Sequence, residues 1–150
     1  MKDAKKFDVV EIIEHFNLVG DFEGAIQYGN GYINDTFLLI TRDGDDRYKY
    51  ILQRINHNLF KDVAKLMNNI ELVTKFCKKS VIKLGGNPNK EVMSIIYTKE
   101  GKNFYFDGYN YFRMITFIDN SFSYDIVSDE KVFYNSAVAF GQFARLLDGF

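Results

Sequence analysis

A chain of 150 residues with 47% apolar and 17% aromatic residues can bury a real core in about one domain, which excludes a disordered polymer. A formal charge of -1 without any long block of like charge argues against nucleic acid as the partner, because phosphate-backbone binding needs a basic face. No run reaches the roughly 18 apolar residues of a membrane helix. The start, "MKDAKKFDVVEII", lacks the apolar stretch of a signal peptide. Cys77 is the single cysteine, so it forms no internal disulfide and reads as a small buried hydrophobe. A soluble, cytoplasmic protein without membrane contact is expected.

In chain order, "FDVVEIIEHFNLVG" spaces Val9, Ile12, Ile13 and Phe16 as one helical face, with Gly20 placed to close the helix. Three strands follow. "EGAIQYG" enters a glycine-rich link, "DTFLLIT" runs to the Asp43-Gly44 hairpin signal, and "YKYILQRI" returns antiparallel. "HNLFKDVAKLMNNIELVTKFCKK" predicts the longest helix. Asn58 stands at its N-cap, Lys78 and Lys79 suit its negative end, and Leu59, Val63, Leu66, Ile70, Val73 and Cys77 form its apolar stripe. "LGGNPN" then breaks the chain at its only proline, Pro88. "EVMSIIYT", "NFYFD" and "YNYFRMITFID" read as two or three further strands, with a turn at "KEGK". A last helix from Ser128 carries Phe133, Ala137, Phe140, Ala144 and Leu147 on one stripe. The order predicts an α+β fold: an antiparallel sheet of about five strands, one long helix packed on it, and a helix at each end of the chain.

The link "YGNGYINDTFLLI" raises the functional question. Gly29 and Gly31 flank Asn30, and two readings stay open: a tight structural turn, as in a non-catalytic interaction domain, or a close approach of main-chain N–H groups to a ligand's phosphates. It is not a Walker A loop, since no Gly-Lys-Ser/Thr follows. In protein-kinase-like folds a glycine-rich hairpin covers ATP, a basic residue on the third strand holds phosphates and a helix glutamate orients it. Here the third strand offers Gln53 and Arg54, and the long helix offers Glu71 beside Ile70. His57 reads as a loop histidine, with no zinc-type cluster around it.

The stretches "YGNGYINDTFLL", "YKYILQRIN", "LMNNIELVTKF", "FRMITFIDNSFSYD" and "AVAFGQFARLLDGF" resemble the N-terminal part of the aminoglycoside phosphotransferase and choline kinase-like family. Within it they look most like the branch acting on the anomeric hydroxyl of N-acetylhexosamines. The resemblance implies a protein-kinase-like N-terminal lobe over residues 1–119 and, over 120–150, the exit from the hinge with the first helix of a second lobe. It implies Mg-ATP as cofactor and a small hydroxyl compound as acceptor, an N-acetylhexosamine or else choline, homoserine or an aminoglycoside. Gly29, Asn30, Gly31 and Asn34 would form the nucleotide-covering hairpin. Gln53 or Arg54, paired with Glu71, would hold phosphates. Strand parity points Gln53 inward with Ile51, whereas charge favours Arg54. Thr116 and Ile118 would offer main-chain groups to the adenine edge, with Met114 as the wall behind it. Ser121 to Asp125 either border the sugar site or form a polar loop.

The family's catalytic loop, with its His-x-Asp and Asn, and its metal-binding aspartate are not in this sequence: no histidine follows His57. The chain is therefore expected to be a nucleotide-binding lobe without its catalytic lobe, with no catalytic or metal-binding residue of its own. The last helix's exposed stripe would favour self-association. Positioning and charge stabilisation around Mg-ATP carry phosphoryl transfer, and half of those groups are missing. We therefore predict no turnover of N-acetylglucosamine or N-acetylgalactosamine by this chain, and at most weak ATP binding. A coupled ADP-release assay checks this, and measurable turnover would prove it wrong.

Overall fold

The computed structural model describes residues 7–29, 31–121, 127 and 129–150. Its described residues form an α+β fold of four helices and six strands. They run α1 (Val9–Ile13), β1 (Asp21–Gln27), β2 (Asp35–Asp43), β3 (Asp46–Ile55), α2 (Val63–Lys83), α3 (Pro88–Glu91), β4 (Ile95–Ile96), β5 (Tyr105–Phe106), β6 (Tyr111–Thr116) and α4 (Glu130–Leu146). The open antiparallel sheet has the order β1-β2-β3-β6-β4, and β5 pairs with β6 as well. The β2–β3 hairpin closes as its turn chemistry dictates: Asp43 pairs with Asp46, and Gly44 takes the left-handed φ of +59° that a two-residue loop requires.

Register is in phase across the three middle strands. Leu52 lies opposite Phe37 and Met114, while Gln53 lies opposite Thr36 and Arg113. Because side chains alternate, two faces separate cleanly. On one, Leu39, Tyr50, Leu52, Phe112 and Met114 are buried with Ile12, Ile13 and Phe16 from α1 and its exit. On the other, Ile55 is buried with Val63 and Met67 of α2, and Ile70, Ile95 and Tyr111 pack against them. Each fully buried side chain of this kind contributes about 1.5–3 kcal/mol of transfer free energy.

The chain divides into two compact units, Met1–Glu71 with Met93–Phe117, and Leu72–Val92 with Ile118–Phe150. The first holds the whole sheet and both clusters above. In the second, Cys77, Val81 and Val92 are buried, with Val73, Leu146 and Leu147 packed on them. Cys77 is thus the small buried hydrophobe the sequence suggests, and burial pushes its thiol up, away from the reactive thiolate. Among the described residues no helix is long and apolar enough to cross a membrane.

Several boundaries differ from the sequence reading. Helix α1 ends at Ile13, and Gly20 caps nothing. It takes φ +76° just before β1, where an added Cβ would lie 2.3 Å from the Arg42 carbonyl oxygen. Helix α2 starts at Val63, not near Asn58. The amides of Leu59 and Phe60 turn back onto the Asn56 carbonyl, and the Asp62 carboxylate accepts the Lys65 N–H as the true cap. Leu59 is consequently exposed, and the helix runs on past Lys79 to Lys83. Pro88 opens the short α3 behind an Asn87 cap, as a first-turn proline can. Of "EVMSIIYT" only Ile95–Ile96 pairs as a strand; with β5 and β6 it makes the three later strands of a six-stranded sheet. Helix α4 begins behind an Asp129 cap, and the expected start at Ser128 lies outside the described residues.

The Gly20 contact yields a stability prediction. Gly20→Ala combines a left-handed backbone with a main-chain clash, so it should cost more than about 1 kcal/mol. Gly24→Ala, with open space at its Cβ and no positive φ, should cost far less. Urea unfolding of the two variants checks the contrast, and equal midpoints would refute it.

Candidate functional site

The singled-out residues of the first unit are positioned by β2, β3, β6 and the link between β1 and β2. The Tyr28 N–H donates to the Thr36 carbonyl at 2.9 Å and closes that link as a hairpin. Downstream, the Asn34 Oδ1 accepts the Asn56 N–H at 2.9 Å, which ties the link to the end of β3. Gly29 has φ +73°, a conformation that calls for glycine. Gly31 does not: its φ is not left-handed, and an added Cβ would meet only the Asn34 carbonyl oxygen, at an ordinary 3.5 Å. Among the described residues neither strain nor packing explains Gly31. Asn30 lies outside the described residues.

Gly31, Tyr32, Ile33, Asn34, Thr36 and Gln53 line a shallow cleft of about 340 Å³. Three of the expected nucleotide-contacting residues therefore meet in one place: Gly31 and Asn34 from the link, and Gln53 from the third strand. Tyr32 stands beside them at 93% exposure.

Gln53 and Arg54 part company. Gln53 faces the cleft, donates from Nε2 to Thr36 Oγ1 at 3.0 Å and accepts from Arg113 Nε at 2.9 Å. Arg54 points to the opposite face, is buried, and pairs with the Asp35 carboxylate of β2. Regular pairing through this stretch leaves no bulge that could turn Arg54 inward. Inward parity, not charge, selects the third-strand residue at the cleft.

Glu71 accepts hydrogen bonds from the Tyr97 hydroxyl and from Asn103 Nδ2, each at 2.7 Å. Neither Gln53 nor Arg54 is bonded to it; the helix carboxylate and the third-strand residue are not brought together as a clamp. Met114 is fully buried on the α1 face, so its side chain belongs to the core instead of a wall on the cleft side. The Thr116 N–H donates to the Ser94 carbonyl at 2.9 Å, and its hydroxyl accepts the Ser94 N–H. Ile118 belongs to the second unit, where its carbonyl accepts from the Ser121 hydroxyl at 2.7 Å. Residues 122–125 of the proposed sugar-site border lie outside the described residues.

Besides Tyr32 and Ile33, two polar residues that sequence reasoning passed over belong to this site. Thr36 lines the cleft, and Arg113 stands behind Gln53 on the next strand. The alternation of "YFRMIT" puts Arg113 on the face of Tyr111 and Ile115, but only the β3–β6 register shows that this is also the face of Gln53. His57 is a further surprise for a loop histidine: its ring lies edge-on to Tyr111, and its Nδ1 is buried with no hydrogen-bond partner among the described residues. No group of three or more metal-ligating side chains gathers among the described residues.

Chemically the arrangement is a shallow, mostly apolar hollow with the Thr36 hydroxyl and the Gln53 amide among its lining. A scan of the sequence against protein-family models finds no match.

Proposed function

We propose that this chain is the nucleotide-binding lobe of a small-molecule kinase of the aminoglycoside phosphotransferase and choline kinase-like family. The acceptor would be the anomeric hydroxyl of an N-acetylhexosamine, as in N-acetylhexosamine 1-kinase. One observation carries the reading: Gly31 and Asn34 of the link and Gln53 of β3 line a single cleft. Gly31 adds weight, because the described residues make no demand for glycine there while an approaching phosphate chain would. The α+β sheet with a long helix against one face is compatible with such a lobe.

In this reading the link's main-chain N–H groups cover the triphosphate, and Gln53 orients it from below. Arg54 plays no part, since it is committed to Asp35 on the other face. Magnesium would enter with ATP and take its protein ligands, like the base for the acceptor hydroxyl, from residues outside this sequence. The choice of an N-acetylhexosamine over choline, homoserine or an aminoglycoside rests on the branch-like stretches "YGNGYINDT" and "YILQRIN" alone.

Gly31→Val tests the reading. The wild-type chain, titrated with ATP, should show shifts of the backbone amide resonances of residues 31–36, and the variant should lose them while its melting temperature moves by only a few degrees. A variant that binds ATP as the wild type does would reduce the glycine to a turn residue.

For the last helix we propose pairing with a second copy of the chain. No residue of α4 is buried, and Phe133 and Phe140 are 68% and 76% exposed, one heptad apart. Light scattering should give a mass that rises with concentration, and Phe140→Glu should return it to that of a monomer. A strict monomer at high concentration would remove the proposal.

A further inference from the structure

The sheet carries four arginines, and three of them have carboxylate partners. Arg42 and Arg47 share Glu23, and Arg54 has Asp35. Arg113 has none among the described residues: its one hydrogen bond goes to the neutral Gln53 Oε1. It is nevertheless partly buried, and burial pulls its guanidinium below the ordinary arginine value. Burying a cation without a counter-charge is costly, and no carboxylate among the described residues relieves that cost here as Asp35 does at Arg54.

The bonds around Arg113 run in one direction. The guanidinium can only donate, so it fixes the Gln53 amide with Oε1 towards β6 and Nε2 towards β2. Nε2 then donates to Thr36 Oγ1, which makes that hydroxyl an acceptor on its inner side. The Thr36 hydroxyl hydrogen has no acceptor among the described residues, and Thr36 lines the cleft. Each donor in this ladder is polarised by the one behind it, and the last one faces the hollow.

We propose that the Thr36–Gln53–Arg113 ladder is an anion subsite that takes a phosphate group. Thr36 is its outward donor, and Arg113 is the positioning residue whose charge acts through Gln53. It rests on the nucleotide reading only for the identity of the anion. It also moves the phosphate-directed charge from the third strand to the neighbouring one, where a guanidinium and a glutamine together do what one basic side chain would do alone.

The test is an NMR titration of the chain with inorganic tripolyphosphate, with adenosine, and with ATP. Tripolyphosphate should shift the Arg113 Nε–H and the amides of residues 31–36, more weakly as salt is raised. Arg113→Gln should weaken that binding about tenfold, Arg113→Lys should recover part of it, and Arg54→Gln should leave it within about twofold. Thr36→Val is close to isosteric and should also lose affinity, which keeps the test decisive if Arg113→Gln does not fold. Adenosine, which lacks phosphate, should bind Arg113→Gln and wild type alike. The subsite is overturned if wild type ignores millimolar tripolyphosphate, if Arg113→Gln and Thr36→Val bind it unchanged, or if Arg54→Gln loses as much as Arg113→Gln. Arg113-dependent tripolyphosphate binding without any adenosine binding would uphold the subsite and sink the nucleotide reading. Adenosine binding without tripolyphosphate binding would do the reverse.

Discussion

The in-phase antiparallel register of β2, β3 and β6 is the constraint from which the site follows. Side chains alternate along each strand, so a slip of one residue would exchange the two faces completely. Gln53 and Arg113 would enter the α1-side core, and Arg54 and Met114 would face the cleft. The slip is opposed by the core itself. Leu39, Leu52, Phe112 and Met114 have essentially no exposure, and each would have to leave that environment together. The polar ladder across the cleft face is thus held in place by apolar packing on the reverse side of the same strands.

Charges reinforce that arrangement at the sheet's margins. Glu23 of the edge strand β1 reaches both Arg42 and Arg47, which ties the edge to the β2–β3 hairpin. Asp35 compensates Arg54 where β2 begins, so the buried Arg54 charge on the α1 face is not left alone. Glu71 serves a similar structural purpose on α2, where Tyr97 and Asn103 donate to its two oxygens and fix the connection that leads towards β5. Neither of these two donors comes from the third strand.

How much of this was legible in the sequence depended on how local the signal was. The β2–β3 hairpin was readable because Asp43-Gly44 fixes the turn and its neighbours alternate. The long helix was readable from its stripe, but its start was not: Asn58 and Asp62 are both good capping residues, and the Asn56-centred turn that commits Asn58 elsewhere is a tertiary detail. Gly20 looked like a helix terminator because its need for glycine comes from the backbone of β2, far away in sequence. At the site, parity along β3 singled out Gln53, while the attraction of a positive charge favoured Arg54. Arg113 was invisible in principle, since nothing in "YFRMIT" reveals which strand lies beside it.

The double fastening of the link between β1 and β2 has a mechanical corollary. Tyr28 to Thr36 and Asn34 to Asn56 clamp both feet of the arch to the sheet. Any displacement of residues 28–36 is therefore coupled through these bonds to the end of β3 at Asn56. Extra residues inserted between Gly31 and Ile33 would lengthen the span at little entropic expense, whereas one inserted between Asn34 and Thr36 would unseat both fastenings at once.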